Sequence, residues 1–496
     1  MSEKETPMSI AKNYFYNAVY QIINLLIPLI TVPYISRVLG SNGVGINAYT
    51  NSITQYFILF GTLGIALYGN RAIAYVRDDR TKLSRTFWGI FILKIITTSL
   101  TYVIFLCFLQ ITDQYKGIFL IQSILILAAA LDISWLFMGL EDFKKTVVRN
   151  LIVRIIGVIC IYVFVKTPID LWKYVFILSV SQLLGQLTLW FYLPKTVQKV
   201  KLKWRDVTKH FIPSISLFFP QMAIQIYVVL NKTMLGYFSK TEEVGFFDNA
   251  DKIVKIALSI VTAMGIVMLP RVSHTFARGD MRKVKEYIYQ SFEFASYLSI
   301  PMMFGIAGIA KGFTPWFFGP GFEKTGLLIC VISPIIVFIA WSNVIGQQYL
   351  MPIGKVREFT TSVLAGAIVN FFLNLFLIRY YQSVGTAIAT LIAELVVTFV
   401  QLWFIRHDIR VIKLLSSAWK YIVSGIIMYS SIHFIGLVLH NGVKTTVIQV
   451  FSGIIIYVML LVLFKSNLNM KLLLLIVGKL RIKSNKLSHR DLDERE

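Results

Sequence analysis

Residues 37–53 of the chain read RVLGSNGVGINAYTNSI, and residues 233–253 read TMLGYFSKTEEVGFFDNADKI. Leu39-Gly40 matches Leu235-Gly236 at an offset of 196, and Val44-Gly45 matches Val244-Gly245 at 200, so the second copy carries a four-residue insertion. The match runs on past the next apolar run: Arg71 pairs with Arg271, and Arg77, Asp79 and Lys82 pair with Arg278, Asp280 and Lys283. Two apolar segments align easily by chance, but chance does not also align the Leu-Gly, Val-Gly and basic loop positions. Each repeat holds six apolar spans, an even number, so both copies share one orientation about an axis along the membrane normal. This predicts two six-helix lobes, residues 1–205 and 206–415, facing each other across a cleft. Such lobes suit alternating access; a static scaffold of duplicated ancestry is the competing reading.

Composition makes membrane helices the only reasonable source of that pattern. Of the 496 residues, 56% are hydrophobic and 15% charged, against roughly 25% charged in soluble domains, and the mean hydropathy is +0.69. A soluble enzyme is excluded. Helices need about 20 apolar residues to cross the hydrocarbon core. Fourteen runs qualify: 14–36, 47–69, 87–111, 117–139, 151–165, 174–193, 211–236, 244–269, 288–310, 325–349, 360–378, 384–405, 421–439 and 445–464. The predicted fold is therefore an all-α polytopic membrane protein with two pseudo-symmetric six-helix lobes, two added helices in 416–464 and a basic tail at 465–496. The first run has no small-residue cleavage site behind it and reads as a membrane helix, not a removable signal.

The net charge of +24 is mainly a topology signal. With the N-terminus inside, 36 of the 49 Lys and Arg fall on inner segments, 9 on outer ones and four within spans, which obeys the positive-inside rule. Both termini are expected in the cytoplasm, and nucleic acid is not needed to explain the charge. The outer connections are short, which leaves no extracytoplasmic domain. LNMKLLLLIVGKLRIK at 468–483 is too short to span and is expected to lie on the inner surface, followed by the polar end DLDERE. Cys107, Cys160 and Cys330 lie singly in apolar runs and suggest neither a disulfide framework nor a zinc site.

Charges inside the bilayer are costly and are functional candidates by default. Span eight carries Asp248, Asp251, Lys252 and Lys255, whose spacing places all four on one helix face. Asp248 to Lys252 and Asp251 to Lys255 are both in the favourable acid-before-base order. The repeat maps these four onto Ala48, Asn51, Ser52 and Gln55 of span two, a polar but uncharged copy, which fits recognition of an asymmetric anionic substrate better than a symmetric scaffold. Lys232 near the outer end of span seven either extends this basic surface or snorkels to the headgroups. Lys94 in span three and Asp132 in span four lie at equal depth and suggest an ion pair, with a phosphate-binding role for Lys94 as the alternative. Glu394 stands alone near the middle of span twelve, either protonated and inert or, the favoured reading, a proton or sodium coupling site.

LDISWLFMGLEDFKKTVVRN at 131–150, NKTMLGYFSKTEEVGFFDNADKIVKI at 231–256 and NFFLNLFLIRYYQSVGTAIATLIAEL at 370–395 closely resemble the signature stretches of Wzx-type polysaccharide flippases. These belong to the multidrug/oligosaccharidyl-lipid/polysaccharide exporter superfamily. The resemblance covers spans one to fourteen; Asp132, Trp135, Gly139 and Glu141 form its more specific pattern, and Gly385-Thr386-Ala387 to Thr390 its looser one. It implies a non-enzymatic flippase in a bacterial plasma membrane, moving an undecaprenyl-diphosphate-linked oligosaccharide to the outer leaflet for capsule or exopolysaccharide assembly. Polymerase and assembly proteins are the implied partners, besides membrane lipids.

No cofactor is implied, beyond coupling to a proton or sodium gradient. Lys94, Lys232, Lys252, Lys255 and Arg37, with Asn51 and Gln55, are the candidate substrate contacts; Asp248, Asp251, Glu394 and Asp132 are the candidate coupling or charge-stripe residues. The family often has Asp before the span-seven lysine, where this chain has Asn231. Lipid II flippases carry several arginines in the N-lobe cavity, whereas here only Arg37 and Arg71 flank spans one and two, at their outer and inner ends. A drug or cation antiporter predicts an acid-dominated interior. A membrane glycosyltransferase would need catalytic acids on a large outer loop.

Overall fold

The computed structural model describes the backbone of residues 7–466 and 468–470; side chains are described for these except 7–26, 143–148, 219–221, 223, 224, 226, 227, 264, 266 and 267. Every regular element in it is helical. In chain order they are α1 (Pro7–Thr62), α2 (Ile65–Val76), α3 (Arg80–Ile111), α4 (Lys116–Leu131), α5 (Ser134–Gly139), α6 (Phe143–Phe164), α7 (Leu171–Trp190), α8 (Leu193–Thr196), α9 (Trp204–Thr208), α10 (Phe211–Phe238), α11 (Thr241–Ala277), α12 (Met281–Phe318), α13 (Glu323–Ile332), α14 (Ile335–Ser342), α15 (Val356–Ile405), α16 (Val411–Leu415), α17 (Ala418–Val438) and α18 (Val443–Leu463). A π-helical stretch, Asn343–Leu350, follows α14.

Ten helical stretches among the described residues are long and apolar enough to cross a membrane. Expected spans one and two fall in one continuous helical run, as do spans eleven and twelve. The first run is broken at Gly40 (φ 66°) in α1 and again, inside expected span two, at Leu63 (φ 44°) and Gly64 (φ 70°) between α1 and α2; the second is broken at Gln382 (φ 50°) in α15. Spans five and seven lie in α6 and α10, which hold residues with undescribed side chains and are not among the ten. Span four differs from its expectation. The helix stops at Leu131, Asp132 is extended (ψ 115°), and α5 starts at Ser134, so Asp132 sits at a break and not within a continuous span. The surface segment expected at 468–483 lies outside the described residues beyond Met470.

The chain divides into two compact units. Unit 1 is formed by residues up to Asn249 with Phe318–Phe322 and Asn370–Ala389; unit 2 comprises Ala250–Phe317, Glu323–Val369 and residues from Thr390 onward. One end of unit 1 has a tight apolar core of Ile73, Phe87, Ile90, Trp135, Phe137 and Leu189, each at most 1% exposed. The signature pattern read from the sequence builds this core. The Trp135 ring packs on Gly69, where a Cβ would lie 2.5 Å from the indole. Gly139 brings α5 against α2, since a Cβ there would meet the Asn70 carbonyl at 2.7 Å. Glu141 pairs with Arg77 at 2.9 Å. Unit 2 is centred on Ile300, Tyr421, Met428, Ile432, Tyr457 and Leu461. Large apolar side chains such as Leu100, Ile412 and Phe451 are 63%, 87% and 64% exposed, the outward face expected of a chain solvated by lipid.

Candidate functional site

The repeated glycines organise the polar residues of unit 1. A Cβ on Gly45 would fall 1.7 Å from the Thr241 carbonyl oxygen, and a Cβ on Gly245 would fall 2.0 Å from the Ser41 carbonyl oxygen. Ser41 and Thr241 are themselves repeat mates, so the two copies touch through equivalent atoms. That is the local two-fold relation the repeat predicts. Around it, Thr241 donates to Asn42 (2.6 Å), Ser52 bonds Thr233 (2.9 Å) and Asn249 donates to Ser36 (3.0 Å). Only residues without a Cβ permit this backbone approach.

Next to this contact, the Lys232 ammonium on α10 donates to the Asp248 carboxylate on α11 at 2.5 Å, the side chains being 20% and 5% exposed. The i,i+4 reading had assigned Asp248 to Lys252 and left Lys232 to the headgroups or the cavity surface; the fold supplies a cross-helix partner. Asn231, the departure from the family pattern, accepts from Asn374 on α15 at 2.9 Å, and Asn374 also donates to Asn370 at 3.0 Å. All three amides are at most 6% exposed. Sequence reasoning passed over Asn370 and Asn374 because an uncharged amide carries no signal in a charge search, although a buried amide must still find partners. Glu243 was also missed: its carboxylate accepts from the Ser383 hydroxyl at 2.5 Å and from the Ser383 N–H at 3.3 Å, and so caps the helix that resumes after Gln382.

Lys94 and Asp132 are brought together, as their equal depth implied, but not mainly as an ion pair. The Lys94 ammonium, 3% exposed, donates to the Asp132 backbone carbonyl at 2.7 Å and lies 4.0 Å from its carboxylate. The Trp135 indole donates to the same carbonyl at 3.2 Å, and Trp190 to the Leu131 carbonyl at 2.9 Å. Carbonyls orphaned by the α4 break are thus satisfied by side chains, with a cation at the negative end of the helix. Asn51 and Gln55 on α1 are half-buried, and their amides make no hydrogen bond among the described residues. Arg37 is exposed, its stem against Gly319.

In unit 2, Lys255 and Asp251 form the expected i,i+4 pair at 2.8 Å, the side chains being 45% and 9% exposed. Lys252 is half-buried on the same helix. Glu394 is buried, and it is not isolated as the sequence suggested. A separate apolar cavity of 370 Å³ lies between α12, α17 and α18, lined among others by Pro301, Met428, Ile432 and Gly453. No group of three or more His, Cys, Asp or Glu could hold a metal among the described residues.

The all-helical fold, with charges and amides set in apolar helices, defines a multi-pass membrane protein. Residues 10–276 match the polysaccharide biosynthesis protein family, and the chain belongs to that family. It is 26% identical over 409 residues, covering 81% of this chain and 98% of the relative, to a putative O-antigen transporter of Escherichia coli (strain K12). Its fold is similar to that of the lipid II flippase MurJ in an inward closed conformation, with a TM-score of 0.71 at 14% identity, covering 92% of this chain and 99% of that one. It is also similar to an inward-facing multidrug resistance MATE family transporter of the MOP superfamily, with a TM-score of 0.60 at 12% identity over 80% of this chain and 99% of the other. The resemblance drawn from the signature stretches is therefore borne out, and these relatives are transporters and flippases, not enzymes.

Proposed function

We propose that the chain is a flippase that moves an undecaprenyl-diphosphate-linked oligosaccharide from the inner to the outer leaflet of a bacterial plasma membrane for surface polysaccharide assembly. The match to an O-antigen transporter across nearly the whole length of that protein carries this reading. Alternating access of the two repeated lobes is the mechanism, with both termini in the cytoplasm. Lys252 and Lys255 of unit 2 attract the diphosphate, their half-buried and exposed positions leaving the ammonium groups within reach of a ligand. Asn51 and Gln55 of unit 1 offer amides that have no hydrogen bond among the described residues to glycan hydroxyls. The lipid chain stays in the bilayer, and the apolar cavity beside α17 and α18 supports contact with it.

The test is reconstitution in vesicles with a labelled lipid-linked oligosaccharide, scored for arrival in the opposite leaflet. Lys252→Gln/Lys255→Gln protein is expected to transfer at least about tenfold more slowly, each lost charge-assisted contact being worth about 1.5–3 kcal/mol. Unchanged transfer by that variant overturns the role of the two lysines, and no transfer by the native protein overturns the flippase reading. The MurJ likeness favours lipid II as a second substrate class, and the same vesicles loaded with lipid II discriminate it.

A further inference from the structure

At the end of unit 1 that carries the basic loops 70–86 and 194–210, α2, α3 and the start of α10 border a cavity of 610 Å³. None of the residues discussed above as substrate contacts lines it. Its walls carry Tyr68, Arg71, Tyr75, Thr86, Lys209 and His210, a polar set in a chain of which only 15% is charged. Two cations reach it from separate segments, Arg71 on α2 and Lys209 in the turn between α9 and α10. The Arg71 Nε donates to the Tyr75 hydroxyl at 3.1 Å, and the guanidinium carbon stands 5.5 Å from the Tyr75 ring centroid. The stack orients the guanidinium while its two terminal amino groups bond nothing among the described residues. Lys209 lies 3.3 Å from Asp206, and Arg71 and Lys209 together outweigh that carboxylate.

The back wall is built, not loose. His210 is 4% exposed, and its Nδ1 hydrogen-bonds the Tyr68 hydroxyl at 2.7 Å. Burial, together with the neighbouring Lys209, holds the imidazole down to about 4, so His210 is neutral at physiological pH and the positive potential belongs to Arg71 and Lys209. Gly89 on α3 allows this wall to form: a Cβ there would fall 2.5 Å from the Asp206 carbonyl and 3.1 Å from His210. A guanidinium fork, an ammonium group and hydroxyls converging on one cavity are donors that match the acceptor pattern of phosphate oxygens.

We propose that this cavity binds the phosphate groups of an anionic lipid headgroup, specifically the diphosphate of the lipid-linked substrate, as a docking site preceding transfer. The assignment of the diphosphate to a transported lipid rests on the flippase reading; the phosphate site itself does not. The full-length protein in phosphatidylcholine nanodiscs is titrated with inorganic pyrophosphate. Arg71→Gln/Lys209→Gln protein is expected to bind it at least tenfold more weakly, while Lys240→Gln/Lys444→Gln protein, which loses the same charge elsewhere, binds as the native chain does. Equal binding by R71Q/K209Q protein overturns the proposal.

Dioctanoylphosphatidylglycerol separates the two sources of phosphate. Failure to displace pyrophosphate supports the substrate diphosphate, and displacement at comparable concentration assigns the cavity to bulk phospholipid and overturns the docking role. In the leaflet-transfer assay, R71Q/K209Q protein is expected to need about tenfold more substrate for half-maximal rate, with a smaller change in the maximal rate; an unchanged requirement overturns docking. A native protein that binds pyrophosphate through these two residues but transfers nothing refutes the flippase reading and leaves the phosphate site standing.

Discussion

Lys232 and Asp248 illustrate how a membrane interior handles charge at single residues. Each would be expensive alone in a low-dielectric setting, and at 2.5 Å each neutralises the other. Removing one partner takes this compensation from the other, which costs about 3–5 kcal/mol for a buried pair, whereas replacing both is far milder. Asp248→Asn or Lys232→Met is therefore expected to lower the unfolding temperature of the detergent-solubilised protein markedly. The double variant should recover most of that loss. Additive losses in the double-mutant cycle would show that the two groups are not energetically linked. The sequence disclosed both charges and their depth. It did not disclose their pairing, because the i,i+4 rule reaches only along one helix and their distance is set by how α10 packs on α11. Asn370 and Asn374 were invisible for a different reason: their burial, and not their charge, makes them notable.

Helices in this protein are shaped as much by their interruptions as by their apolar runs. The break at Asp132 creates carbonyl acceptors for Lys94, Trp135 and Trp190, and the break at Gln382 creates the N–H that Glu243 accepts. Hydropathy cannot locate such breaks, since a residue with extended or positive-φ backbone leaves the local apolar count unchanged. The repeat did mark the glycines at which α1 and α11 touch. Gly245→Ala puts a Cβ at 2.0 Å from the Ser41 carbonyl, which the backbones can relieve only by separating. Overpacking of this kind costs about 1–3 kcal/mol. Gly245→Ala should lower the unfolding temperature, whereas Gly117→Ala in α4, with nothing within 4 Å of its Cβ, should leave it unchanged or slightly raised; equal behaviour of the two would contradict the close approach.

At the scale of the whole molecule, two proposals remain to be measured. The Lys and Arg distribution is proposed to orient the chain with both ends inside, so a reporter fused after residue 464 should be active only in its cytoplasmic form. Periplasmic or extracellular activity would reverse the topology and with it the inner position of the Arg71 cavity. Glu394, buried in α15, is proposed to couple transfer to a proton or sodium gradient. Glu394→Gln protein should then transfer at the same slow rate with or without an imposed gradient, and retained gradient dependence would remove Glu394 from coupling.

The sequence by itself determined that this chain lives in lipid, roughly where its helices run, that it is a duplicated structure, and to which family it belongs. Those conclusions depend on sums over about twenty neighbouring residues or on self-similarity, both properties of the linear chain. Tertiary structure alone decided which charge meets which, that Gly45 and Gly245 touch, that Lys94 caps a broken helix, and that Arg71 and Lys209 border one cavity. Each of these depends on distances between groups from about fifteen to two hundred positions apart in the chain. Coulomb and hydrogen-bond energies fall off over a few ångströms in space, and chain separation does not encode that distance.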